Sequence, residues 1–213
     1  DFGTSNSAVV LVKDDGTVEP FMFADGTLLQ RSVLFFPNDR SETRFGNEAV
    51  REYEASGMDG RFIQSIKRHL SASLDYVIIG ARRYKIHELA AMFLRFLRDQ
   101  IVAKTGEDVN EAVIGRPVRF HEQNEREDLA LSRLQAAVEL AGFSKTAYQY
   151  EPIAAALDYE SGLTETEVVL IGDFGGGTSD FAVVRVGPHR GLENRDRDVL
   201  GVSGVPVAGD ALD

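Results

Sequence analysis

A short segment of the chain occurs twice, and this repeat constrains the fold more than any other feature. Residues 1–12 read DFGTSNSAVVLV, and residues 173–186 read DFGGGTSDFAVVRV. If two glycines are treated as an insertion, nine of twelve positions are identical. Each copy places an aspartate before a glycine turn that leads into an apolar strand, which indicates a protein built from two equivalent halves. We therefore expect the two turns to face one cleft.

The residue types in the repeat suit phosphate together with a hydrated metal ion. Glycine permits the backbone angles and the close approach by which N–H groups surround phosphate oxygens. Asp1 and Asp173 would repel bare phosphate, but their carboxylates suit Mg²⁺ that keeps several of its waters. One isolated copy is equally compatible with a simple tight hairpin, whereas two copies favour a phosphate site. The side-chain donors of the two copies are Thr4, Ser5, Asn6, Thr178 and Ser179.

Two other phosphate-binding classes lack their motifs in this chain. Asp-Phe-Gly also occurs in protein kinases, but the Val-Ala-Ile-Lys strand and the His-Arg-Asp loop of kinases are both missing. The glycine-rich P-loop ending in Gly-Lys-Ser/Thr is missing too. Protein kinases and P-loop NTPases are therefore excluded.

The periodicity of apolar residues predicts an α/β fold. Residues 8–36 alternate around Asp-Gly turns, which is typical of antiparallel strands. Residues 87–104 and 122–142 carry apolar side chains at three- and four-residue steps, which predicts two helices that each bury one face. We expect residues 47–70 to be mixed but mainly helical, residues 76–84 to form one strand, and the charge-dense residues 188–198 to form an exposed loop.

Composition limits the partners and the location of the protein. The 213 residues include no cysteine, and no apolar run is long enough to span a membrane. The net charge of -11 disfavours binding to nucleic acid. We expect a cytoplasmic protein with neither a membrane nor a nucleic acid as partner. Because the sequence starts at the first motif and stops within a predicted helix start, we also expect it to be part of a longer protein.

Four segments resemble motifs of the ATPase domain of the DnaK-type heat-shock chaperone family. Residues 1–7 are similar to its first phosphate motif and residues 173–180 to its second. Residues 66–68 (IKR) resemble the segment that carries its catalytic lysine, and residues 151–157 (EPIAAAL) resemble its interlobe helix. The four motifs occur in the family's order and span nearly the whole chain. Sugar kinases, actin-like filament proteins and exopolyphosphatases share the two phosphate turns but not the other two motifs together.

The resemblance implies an α/β, actin-like ATPase fold of the duplicated ribonuclease-H-like kind, with the first lobe and the start of the second. The core of the first lobe would comprise residues 1–36 and 89–165. Residues 37–88 would form a small inserted subdomain, and residues 166–213 the truncated start of the second-lobe core. The family's adenosine-contacting motif would lie beyond residue 213.

Ligand contacts are also implied by the resemblance. Asp1 and Asp173 would hold Mg²⁺ through its waters. The two glycine turns would wrap the β- and γ-phosphates of ATP or ADP, and a third contact would come from near the end of the chain. The implied nucleotide-binding residues are Gly3, Thr4, Ser5, Asn6, Gly175, Gly176, Gly177, Thr178 and Gly209.

Four residues receive catalytic roles from the resemblance. Lys67 would stabilise charge that develops on the γ-phosphoryl group. Glu151 would orient the attacking water or couple the lobes, and Thr178 with Asp180 would complete the surroundings of that water. Taken alone, Lys67 in its basic run is also typical of a solvated helix end, and Glu151 is also typical of an acid at a helix start.

Several positions depart from the family pattern and indicate an atypical branch. Ser5 replaces the usual threonine, and Ala208 stands where a glycine is usual. The family relays the nucleotide state through a proline and a downstream arginine; here Pro117 is present, but Arg126 falls one residue late. The insertion between residues 37 and 88 is also shorter than usual.

The function implied for the full-length protein is ATP-driven chaperone cycling in the stress response. ATP binding and hydrolysis would drive the binding and release of a client polypeptide through a C-terminal domain. A J-domain co-chaperone and a nucleotide exchange factor are the further partners implied. Two alternatives stay open on the residues: an actin-like nucleotide-binding scaffold or filament protein, and a small-molecule kinase.

Overall fold

The computed structural model of the protein describes residues 1–39, 42–188 and 197–209, and these form an α/β architecture. The helices in these ranges are α1 (Gly46–Ala55), α2 (Ile66–His69), α3 (Ile86–Thr105), α4 (Asn124–Leu140) and α5 (Glu151–Glu160). The strands of the first half are β1 (Asn6–Ser7), β2 (Val10–Val12), β3 (Val18–Pro20), β4 (Gln30–Arg31), β5 (Leu34–Pro37), β6 (Arg44–Phe45), β7 (Gly60–Ile63), β8 (Tyr76–Ile79) and β9 (Arg82–Lys85). The later strands are β10 (Glu111–Arg116), β11 (Lys145–Tyr150), β12 (Glu167–Phe174), β13 (Ser179–Val186) and β14 (Val199–Val205).

The first half is built from short antiparallel pairs, as the alternating pattern predicted. β2 pairs with β3, β1 pairs with β4, and β5 lies between β6 and β7. The turns at Gly16 and Gly26 have φ angles of 81° and 78°, a left-handed conformation that glycine adopts without steric cost. The Asp-Gly pairs of the sequence therefore mark real turns.

Helices α3 and α4 pack on each other and form the centre of the main core. The α3 residues Leu89, Phe93 and Leu97 are buried on one face, opposite Ala130 and Leu134 of α4. Burial of each large apolar side chain stabilises the fold by roughly 1.5–3 kcal/mol. The two helices predicted over residues 87–104 and 122–142 are confirmed to within a few residues.

A second, smaller core lies between α5 and the last sheet. β10 and β11 run parallel, and β11 leads directly into α5, whose second residue is Pro152. α5 then packs against the antiparallel sheet β12-β13-β14. The buried residues of this core are Ile153, Ala156, Ala182, Val184 and Val186.

Two local predictions were too simple. Residues 47–70 contain α1, β7 and α2 rather than mainly helix, because Gly57, Met58 and Gly60 have positive φ angles that end α1 and redirect the chain. Residues 76–84 fall in the hairpin β8–β9 rather than in one strand, because Gly80 at φ 59° provides the turn. Most of the predicted loop at 188–198 lies outside the described residues. Across the described ranges, no helix is long and apolar enough to cross a membrane.

Candidate phosphate-binding cleft

The two glycine turns of the repeat contact each other. In the first turn, Ser32 Oγ donates a 2.7 Å hydrogen bond to the Gly3 carbonyl. In the second turn, the Gly175 N–H donates a 3.0 Å bond to the Thr178 carbonyl. A Cβ atom added at Gly177 would lie 3.0 Å from Thr4 Oγ1 of the first turn. The fold therefore brings together two segments that are more than half the chain apart.

The turns border an open cleft of about 780 Å³ whose walls are basic. Thr4 and Ser5 line it from the first turn, and Gly177 and Thr178 line it from the second. Among the described residues of its lining, none is an aspartate or glutamate. The charge of this lining is therefore positive, whereas the chain as a whole carries a net charge of -11. A cleft with a positive lining suits an anion. The basic side chains of the lining are Arg31, Lys67, Arg68, His69, His121 and Arg126.

Lys67 is buried and paired with Glu151. Only 4% of Lys67 is exposed, and its Nζ donates to the carboxylate of Glu151. Ile66 and Leu70 on either side are fully buried in the main core and anchor α2. The interpretation of Lys67 as a solvated helix end is therefore wrong. Glu151 lies in the first turn of α5, so it is both an acid at a helix start and the partner of a buried lysine.

Asp1 and Asp173 lie around this ion pair. A Cβ atom added at Gly115 would be 3.2 Å from Glu151 Oε1 and 3.6 Å from Asp1 Oδ1. Burial raises the pKa of Asp173, and the negative charge of Glu151 raises it further, while Lys67 acts in the opposite direction. The described residues contain no group of three or more His, Cys, Asp or Glu side chains that could hold a metal directly. Binding through water needs fewer protein ligands and is compatible with two carboxylates.

Asp180 is the most deeply buried carboxylate near the second turn, with 1% of the residue exposed. Its Oδ1 accepts a 2.8 Å bond from the Val118 N–H, whereas its Oδ2 is buried without a hydrogen-bond partner in the described structure. Burial raises the pKa of Asp180 despite hydrogen bonds from Thr178 and Val118, and the charge of Glu151 adds to the rise. A buried oxygen without a partner is rare and costly, and such groups cluster at functional sites.

Other residues predicted for the site lie close to the turns but differ in their contacts. The Gly209 N–H donates a 3.3 Å bond to the Gly175 carbonyl, which brings residue 209 against the second turn. Asn6 Oδ1 instead accepts a bond from Arg31 at 3.3 Å. Ser179 Oγ donates to the Val207 carbonyl at 2.8 Å, so this hydroxyl is engaged away from the first turn.

Sequence reasoning missed much of the basic wall. Arg31 and His121 stand singly in the sequence, and no pattern marks them. Arg68 and His69 follow Lys67 directly, so the basic run that they form with Lys67 was the signal that could have indicated their place in the cleft lining. Arg126, considered only for an interdomain relay, lines the cleft with its Nη1 3.4 Å from His121 Nε2.

The α/β architecture, with two copies of one glycine turn meeting at a basic cleft, is that of the actin-like ATPase class. The family model described as Hsp70 protein matches residues 70–192. The chain is 34% identical over 191 residues to the chaperone protein DnaK of Thermotoga petrophila and to that of Thermotoga maritima, and 33% identical to that of Thermotoga neapolitana. This chain belongs to the Hsp70 family. The alignments cover 88% of the chain and 30% of each relative, so the chain spans about a third of their length.

Proposed function

We propose that this chain forms the phosphate-binding part of a Mg-ATP site in a DnaK-type chaperone, where hydrolysis of ATP to ADP drives the binding and release of a client protein. The observation that carries the proposal is the basic cleft without carboxylates in its described lining, at which both glycine turns and Lys67 meet. Family membership, which implies the use of a nucleotide and magnesium, supports it.

The glycine turns suit close backbone contact with phosphate. A Cβ atom at Gly3 would overlap with the Asn6 carbonyl oxygen, and one at Gly177 would approach Thr4. Side chains at these positions would therefore not fit without displacing their neighbours. The residues proposed to contact the phosphates are Gly3, Thr4, Ser5, Asn6, Gly175, Gly176, Gly177, Thr178 and Gly209.

The carboxylates beside the ion pair fit a hydrated divalent cation. Asp1 and Asp173 would hold Mg²⁺ through its waters, and the ion would neutralise charge on the phosphate oxygens. Burial first, and then the charge of Glu151, raise the pKa of Asp173, and a carboxylate in such surroundings gains from a nearby positive charge.

The side chains around the cleft can supply the remaining functions of phosphoryl transfer, which are positioning and charge neutralisation. Lys67 would stabilise charge on the γ-phosphoryl group, and its pairing with Glu151 restricts where its ammonium can lie. Asp180, whose buried Oδ2 has no hydrogen-bond partner among the described residues, would help to complete the surroundings of the attacking water. Glu151 and the Thr178 hydroxyl would complete the orientation of that water.

For the full-length protein, we propose the cytoplasm as its location and a client polypeptide, a J-domain co-chaperone and a nucleotide exchange factor as its partners. We also propose that residues 1–36 with 89–165 form the core subdomain of the first lobe, that residues 37–88 form its small inserted subdomain, and that residues 166–213 form the start of the second-lobe core. These assignments rest on family membership and not on a particular contact in the cleft.

Single-turnover hydrolysis of Mg-ATP by the full-length protein tests the proposal. Lys67→Met should abolish most of the cleavage, whereas Lys145→Met should not, because Lys145 forms a similar lysine–glutamate pair with Glu111 on the exposed surface. Affinity for an unfolded peptide should differ between the ATP and ADP states. Cleavage that requires an added metabolite would instead identify a kinase, and nucleotide binding without any effect on peptide would identify a scaffold.

A further inference from the structure

Arg133 of α4 is a buried cation that the proposed mechanism does not use. Only 5% of Arg133 is exposed. Its Nη1 donates to the carbonyls of Leu70 at 2.9 Å and Ala72 at 2.7 Å. Its Nη2 donates to the Leu74 carbonyl at 3.0 Å and to Asp75 Oδ1 at 2.8 Å. One guanidinium therefore binds four acceptors in a single six-residue segment.

These acceptors lie at the end of α2 and in the turn that follows it. The last carbonyls of any helix lack partners within the helix, and a cation at that end is favourable. α2 contains only the four residues Ile66–His69, which is far too short to be stable without tertiary contacts. Arg133 satisfies the polar side of this segment, while Ile66 and Leu70 fix its apolar side in the core.

The same helix also holds the part of the cleft lining that contains Phe120 and His121. The carboxylate of Glu127 in α4 accepts bonds from the N–H groups of Phe120 at 2.6 Å and His121 at 3.1 Å. Glu127 also pairs with Arg116 at 3.2 Å. α4 is thus joined through Glu127 to the wall that contains His121, and through Arg133 to the wall that contains Lys67.

We propose that Arg133 is a positioning residue for Lys67. Arg133 holds α2 so that the ammonium group of Lys67 meets Glu151 beside the two glycine turns. The inference rests on the catalytic role proposed for Lys67. Arginine is needed because its planar fork presents five donors in fixed directions, whereas lysine offers a compact point charge that cannot reach three carbonyls and a carboxylate together. Arg133→Lys keeps the charge but loosens the attachment of α2.

The expected effect is on the chemical step. In the full-length protein, Arg133→Lys should lower the single-turnover rate of Mg-ATP cleavage about tenfold to a hundredfold, because small displacements of a catalytic group have effects of this size. The KM for ATP should change by less than about threefold, since the glycine turns that bind the phosphates do not contact Arg133.

A double-mutant cycle with Lys67→Met separates positioning from general destabilisation. If Arg133 acts through Lys67, then Arg133→Lys should cause no further loss of the residual rate in the Lys67→Met background. Arg98→Lys is the matched control, because Arg98 donates to the Val109 carbonyl at 2.7 Å and to Asp108, away from the cleft. That control should leave the rate unchanged in both backgrounds.

The outcomes distinguish a failure of the role proposed for Arg133 from a failure of the function proposed for the protein. An equal loss in both backgrounds, or an equal loss from Arg98→Lys, would overturn the positioning role of Arg133 while leaving the proposed function intact. A wild-type protein that neither binds nor cleaves Mg-ATP would overturn both. If Arg133→Lys does not fold, Asp75→Ala removes one of the four acceptors from an exposed position and should give a smaller loss with the same dependence on Lys67.

Discussion

Replacement of Asp180 by asparagine should stabilise the chain at neutral pH. The side chain is buried, and one of its oxygens has no hydrogen-bond partner in the described structure. Leaving a buried polar group unsatisfied costs about 1–3 kcal/mol, and more when the group is charged. Asparagine keeps the oxygen that accepts from Val118 and replaces a buried charge with a neutral amide, which costs less to bury, so we expect a gain of roughly 1–2 kcal/mol. For a domain of this size, that gain raises the melting temperature by about 2–8 °C.

The gain should depend on pH in a defined direction. Burial raises the pKa of Asp180 in the folded chain above its usual value of 3.8. At pH values between the usual pKa and the raised pKa, the folded chain therefore binds more protons than the unfolded chain. Stability therefore falls as the pH rises through this window, and the full deficit is present above the folded pKa. Below it the wild-type side chain is protonated and neutral. The advantage of Asp180→Asn should consequently shrink as the pH approaches about 4.

Asp25→Asn is the matched control and should have the opposite effect. Burial would raise the pKa of Asp25, but hydrogen bonds from Asn47, Thr27 and Gln30 outweigh burial and hold that pKa far below its usual value. Its carboxylate therefore contributes stability that is present above the unfolded pKa and lost as the pH falls. Thermal melts of the three proteins without nucleotide or magnesium, at about pH 7 and about pH 4, give the comparison. An Asp180→Asn variant that is less stable at neutral pH would show that the carboxylate is satisfied and that our assignment of its unpartnered oxygen is wrong.

Three further substitutions have clear expected outcomes. Thr178→Ala in the full-length protein should slow γ-phosphate cleavage about tenfold to a thousandfold with little change in ADP affinity, and unchanged single-turnover cleavage would remove this hydroxyl from the mechanism. Gly177→Ala should separate the two turns and weaken binding of Mg-ADP in calorimetry, whereas Gly201→Ala, which has no atom within 4 Å of the added Cβ, should not. Phe93→Ala should lower the free energy of unfolding by about 3–5 kcal/mol in urea titrations, because Phe93 is fully buried in the main core, while Met22→Ala at an exposed site should have little effect.

The repeat and the long helices were predictable because their signals are local. Helix α3 shows its buried face as a regular spacing of apolar residues, and the two glycine turns can be compared directly in the sequence. Lys67 and Glu151 are 84 positions apart in the sequence, so the local spacing of apolar residues does not predict that they pair. Arg133 is harder still, because three of its four acceptors are backbone carbonyls, which every residue possesses. The sequence therefore indicates the two glycine turns and Lys67 but not what holds Lys67 in place.

The charges around the cleft are arranged at a cost to the stability of the chain, and this cost is itself an argument for a charged ligand. Lys67 is buried and paired with Glu151, and one oxygen of Asp180 has no partner among the described residues. The pKa of Asp173 is raised by burial and by Glu151. Well-packed apolar residues are often as stabilising as a buried ion pair, or more so. A phosphate group brings negative charge to the lysine, and a hydrated divalent cation brings positive charge to the aspartates. Mg-ATP or Mg-ADP would therefore relieve the unfavourable interactions of the lysine and of the aspartates. Its binding should raise the melting temperature in proportion to the logarithm of the ligand concentration once the site is saturated.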